Sequence, residues 1–91
     1  MPYQESFDII AFRSRQHAFH FSQVLKDQGI STQVMSTPKE VALGCGLSIR
    51  FSPYMTRQIM QIFRNYNSPI IGFYHVVRTG STSQMTRIPH Q

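Results

Sequence analysis

An α+β fold is what this sequence predicts, on three observations. Short apolar runs rich in Ile, Phe and Val alternate with two amphipathic stretches of helical period. Gly or Pro marks most of the junctions between them. The resulting order, strand, helix, strand, strand, helix, strand, is that of a split-βαβ unit. The expected architecture is therefore a ferredoxin-like βαββαβ sandwich, a four-stranded antiparallel sheet with two helices on one face.

Each element has a local reason. Phe7 to Phe12 is a short Ile- and Phe-rich run that stops at Arg13-Ser14-Arg15, as a buried strand does. Ser14 is placed to cap a helix running to Gln28, along which Ala18, Phe21 and Leu25 recur at steps of three and four. Phe19 points away from that stripe, and Gly29 supplies the left-handed C-cap. Ile30, Thr32 and Val34 alternate with Ser31, Gln33 and Met35, which gives a second strand. Thr37-Pro38-Lys39-Glu40 has a capping Thr, a Pro at the first helical position and a Glu three residues after the cap, so a short helical turn begins there. Gly44-Cys45-Gly46 ends it. Leu47, Ile49 and Phe51 alternate with Ser48 and Arg50 as a third strand. Ser52-Pro53 starts a second helix that gathers Met55, Ile59, Ile62, Phe63 and Tyr66 on one face. Asn67-Ser68-Pro69 breaks it, and Ile70 to Val77 is a fourth strand, apolar on both faces apart from His75. Residues 1–78 thus read as a single domain, and residues 79–91, polar and without periodicity, as a flexible C-terminal tail.

Composition narrows the function. The chain of 91 residues has room for one core, and 41% hydrophobic residues with 12% aromatics suffice to build it. A single cysteine rules out an intramolecular disulfide and the multi-cysteine metal patterns. His17 and His20 lie three apart on the first helix but lack a third ligand at metal spacing, so no metal is assigned, and no cofactor motif is present. The carboxylates Glu5, Asp8, Asp27 and Glu40 are scattered, which disfavours paired-carboxylate hydrolysis. No run approaches the roughly 18 apolar residues of a membrane span. The start of the chain has no basic region before an apolar run, so a cytoplasmic protein with a reduced thiol is expected. The net charge of +5 points to anionic partners or anionic chemistry.

Cys45 is where chemistry concentrates. The expected topology brings the end of the first strand and the start of the third to one end of the sheet. Arg13, Ser14 and Arg15, at the N-terminus of the first helix, then approach the Gly44-Cys45-Gly46 loop. A thiolate is favoured beside a helix N-terminus and beside arginine, and flanking glycines leave the sulfur unshielded. Free cysteine is also a common small core residue, so on spacing alone a buried thiol at a strand start is the competing reading.

Ser14-Arg15-Gln16-His17-Ala18, then Gly29-Ile30, then Thr37-Pro38-Lys39-Glu40 leading to Cys45-Gly46-Leu47 and Arg50, with Tyr74 in the last strand, resembles the selenium/sulfur carrier protein-like family. The resemblance runs from Phe7 to Val77, and Lys39 stands where the family pattern has Arg. It implies a carrier or relay protein rather than a stand-alone enzyme, with Cys45 as the attachment site and sulfur or selenium donor and acceptor proteins as partners.

Two other classes remain beside it. An interaction or regulatory module without thiol chemistry follows from the strands: Ile10, Phe12 and one face of Ile70 to Val77 would form an open apolar patch, which predicts a homo-oligomer, a two-fold dimer or higher, closed over the sheet. Nucleic-acid binding is disfavoured, because the third strand turns Ser48 and Arg50 outward and lacks the aromatic signature of RNA-binding sheets.

Overall fold

The computed structural model describes residues 4–38, 46–66 and 70–89. Its elements are β1 (Gln4–Phe12), α1 (Arg15–Asp27), β2 (Gln33–Ser36), β3 (Leu47–Phe51), a 3-10 turn (Pro53–Met55), α2 (Thr56–Tyr66), β4 (Ile70–Thr79) and β5 (Thr82–Ile88). The expected helical turn after Pro38 falls on residues 39–45, outside the described residues.

The sheet corrects the expected architecture. It has five strands in the order β2-β3-β1-β4-β5, all neighbours antiparallel, so the fold is α+β but not a four-stranded ferredoxin-like sheet. The added strand is built from Thr82–Ile88, which the sequence suggested was tail. Its register on β4 runs from Thr79↔Thr82 to Phe73↔Ile88, which satisfies the outer edge of β4. Ile88 then packs on the main core and Met85 on a second cluster, so one strand contributes to both faces of the sheet.

Strand parity decides which side chains reach which face. From Asp8 onward, the even residues of β1 point to the helices. Ile10 and Phe12 join Ala18, Phe21 and Leu25 of α1, Ile59 and Phe63 of α2, and Ile49, Phe51 and Phe73 of the sheet in the main core. Phe21 lies at its centre, with ring centroids 5.9 Å from Phe12, 5.6 Å from Phe63 and 5.0 Å from Tyr66. Such aromatic pairs add about 0.5–1.5 kcal/mol each beyond the area they bury.

This arrangement corrects the expected open patch, since Ile10 and Phe12 are fully buried beneath the helices. The face without helices carries Phe7, Ile9 and Val76 instead, also buried, under Met35, Tyr74 and Met85. The share of the expected patch assigned to Ile10 and Phe12 is therefore not exposed.

The helix boundaries follow local chemistry. Ser14 has the extended backbone of an N-cap, yet its side chain makes no capping hydrogen bond. Gly29 takes φ +78°, as the end of α1 requires. Ser52 does accept from the Tyr54 N–H, at 3.3 Å, but Pro53 opens a 3-10 turn and α2 begins only at Thr56. Phe19 is 53% exposed, as its position off the apolar stripe predicts. Among the described residues no helix is long and apolar enough to cross a membrane.

Candidate functional site

The end of the sheet that frames the predicted loop is well defined on both sides. Ala11 of β1 pairs with Ser48 of β3, and Ser36 of β2 pairs with Leu47, so the end of β1, the end of β2 and the start of β3 share one end. The Thr37 N–H donates to the Gly46 carbonyl at 2.7 Å, and the Thr37 and Ser48 hydroxyls share a hydrogen bond of 2.7 Å. These two bonds tie the stems where the chain leaves β2 and returns into β3. Gly46 has φ +81°, a conformation that strains any residue with a Cβ. Gly44 and Cys45 lie outside the described residues.

The helix side of this end begins directly after β1. Arg13 and Arg15 are exposed and Ser14 half-buried. With no side-chain cap and no acidic residue in its first turn, α1 leaves the positive end at its N-terminus uncompensated by the helix's own residues. The first N–H satisfied within the helix is that of Ala18, donating to the Ser14 carbonyl at 3.0 Å. Nearby on the same helix, His17 buries an Nδ1 that has no hydrogen-bond partner. His20 meets the Tyr66 hydroxyl at 2.9 Å, and among the described residues no group of three metal-ligating side chains occurs.

A family model described as "Putative Se/S carrier protein-like" matches residues 8–75. The chain belongs to this family. Within the Se/S carrier-like span lie both stems of the loop, the start of α1 and Cys45 itself. No curated protein and no solved structure gives a significant match to the chain.

The span begins and ends on a pair that the sequence reading passed over. Asp8 and His75 are register partners on β1 and β4. His75 Nδ1 lies 2.6 Å from the Asp8 carboxylate, and Thr56 Oγ1 donates to the other carboxylate oxygen. A carboxylate that is ionised only accepts, so this contact suits the ring tautomer that carries its proton on Nδ1. Asp8 is almost wholly buried, with 5% of its side chain exposed, whereas His75 is 39% exposed. Three elements of this carrier-like domain, β1, β4 and the start of α2, are joined through one carboxylate. No local pattern signals such a contact, because Asp8 and His75 are 67 residues apart.

The Asp8 cluster sits three residues along β1 from Ala11, about 10 Å from the loop end. Its contacts join β1 to β4 and to the start of α2. Asp8→Ala is expected to cost about 1–3 kcal/mol, since it removes the acceptor for two half-buried donors. Urea unfolding checks this, and an unchanged midpoint would show that the cluster contributes no net stability. Thr56→Val removes one donor and should cost less.

Proposed function

We propose that this protein carries sulfur or selenium on Cys45 between a donor and an acceptor protein. The observation that carries the reading is family membership over residues 8–75, a span that includes the chain's one cysteine. The surroundings support it. Gly46, the residue that follows Cys45 in the sequence, lies at the sheet end where α1 begins with an uncapped N-terminus and exposed Arg13 and Arg15.

The transfer requires no cofactor. The Cys45 thiolate, its proton given to solvent, attacks the outer sulfur of a persulfide on the donor. The new S–S bond forms on Cys45 as the donor's cysteine leaves as a thiolate. An acceptor thiolate then attacks the outer sulfur of the Cys45 persulfide, and Cys45 leaves as a thiolate in turn. Selenium follows the same displacement as the outer atom. Neither step changes the overall electron count, so a carrier thiol and two docked partners suffice. A reducing compartment such as the cytoplasm keeps the resting thiol free.

Incubation with a cysteine desulfurase and cysteine, followed by intact-mass measurement, tests the reading. The expected product carries one additional sulfur atom that a thiol reductant removes; an unmodified chain would overturn the assignment. The helix end and the arginines also predict a reactive thiol. Alkylation of Cys45 should show a midpoint below the free-thiol value of about 8.5, because both favour the anion. Replacing Arg13 and Arg15 with Gln should raise that midpoint, and no change would remove their charge from the site.

A further inference from the structure

We propose that the sheet face without helices is a docking platform for single-stranded nucleic acid. The register places one continuous row across all five strands: Arg87 on β5, Tyr74 on β4, Ile9 on β1, Arg50 on β3 and Gln33 on β2. Four interstrand steps of about 4.8 Å make this row about 19 Å long. Ile9 is the buried floor, Tyr74 is half-buried and Arg87 is exposed. Gly72 shapes the Tyr74 end. A Cβ there would meet both the Arg87 guanidinium and the edge of the Tyr74 ring at 3.4 Å, so both side chains lie over the space that the glycine leaves.

Charge on this face is one-sided. Arg50 and Arg78 hold their guanidinium carbons 3.9 Å and 5.2 Å from the centre of the Phe7 ring. Arg50 pairs with Glu5, the one acidic residue that the register puts on this face among the described residues. Arg78 and Arg87 have no ion-pair partner among the described residues. Three guanidinium groups thus meet one carboxylate, leaving a surplus of positive charge beside a half-buried aromatic ring. An anionic backbone matches the charge, while unstacked bases match the ring and the guanidinium planes. An acidic polypeptide would use the charge but leave the ring unused. Sequence alone hid this platform because the aromatic residue is on β4 rather than β3, and one of the two unpaired cations belongs to β5.

Fluorescence anisotropy of a labelled oligouridylate with the full chain tests the proposal. Binding should weaken with salt at a logarithmic slope of about −1.4 to −2.1, corresponding to two or three phosphates at about −0.7 each. The pair Arg78→Gln and Arg87→Gln should remove about 1.4 of that slope. The same charge loss on the helix side, Lys26→Gln with Arg57→Gln, should change it little. Tyr74→Leu should weaken binding about five- to a hundredfold, and Tyr74→Phe should restore it. Should Tyr74→Leu fail to fold, the exposed Arg87→Gln alone still has to lower the slope by about 0.7. Equal effects from the two charge pairs would overturn the proposal, as would wild-type binding by a folded Tyr74→Leu. Displacement of the oligouridylate by polyglutamate at matched charge concentration would also overturn it, and would assign the face to an acidic protein.

Discussion

Cys45→Ser is expected to give a folded protein that takes up no sulfur from a desulfurase. The change is close to isosteric, and the loop stems are tied to each other through Thr37, Gly46 and Ser48. The sequence contains no second thiol to substitute for it. The effect is therefore all or none: intact-mass measurement should find the added sulfur on the wild-type chain and none on the variant. Circular dichroism and the unfolding midpoint should match between the two. Loss of the adduct together with loss of the fold would make Cys45 a packing residue, whereas retention of the adduct would place the sulfur on another group.

A chain ending at Thr79 is expected to lose about 2–4 kcal/mol of stability and to self-associate. The lost strand takes with it the partly buried Met85 and Ile88, each contributing on the order of 1 kcal/mol or more of apolar burial. It also strips the register partners from Phe73 to Thr79 and uncovers Val76, which is fully buried in the complete chain. An uncovered apolar edge is a template for pairing with another chain. Urea unfolding reads the stability and light scattering the association. A truncated chain with an unchanged midpoint and an unchanged mass would show that β5 rests on the domain without supporting it.

What the sequence made legible follows the strength of local pattern. Ala18, Phe21 and Leu25 fixed the buried stripe of α1, and Ile59 and Phe63 that of α2, because a helix on a sheet repeats its contacts every three or four residues. The alternation from Leu47 to Phe51 set β3 with its observed ends. β5 was hidden for a physical reason. An edge strand is held largely by backbone hydrogen bonds, and Thr82–Ile88 has only Met85 and Ile88 as apolar residues, so no period-two pattern appears. β1 was read three residues short because Gln4, Glu5 and Ser6 are polar, yet they pair with Thr79, Arg78 and Val77.

The candidate site divides in the same way. Its stems were legible, since a glycine before a strand and a Thr-Pro after one mark a loop from either side. The uncapped start of α1 was not, because Ser14 is a capping residue by type and only the structure shows its side chain making no capping bond. Asp8 read as a polar interruption in an apolar strand. Its partners Thr56 and His75 become visible only once the register of β1 and β4 and the start of α2 are known.

Sulfur carried on Cys45 has to leave it again, and transfer is a more direct test of this than loading. The protein is loaded with radiosulfur by a desulfurase, separated from donor and free cysteine, and mixed with an acceptor protein that presents a reduced thiol. Label is expected to leave the carrier and appear on the acceptor in equal amount, with Cys45 returned to the free thiol. Label that stays on the carrier, or that reaches the acceptor equally fast when the protein mixed in is Cys45→Ser, would contradict it.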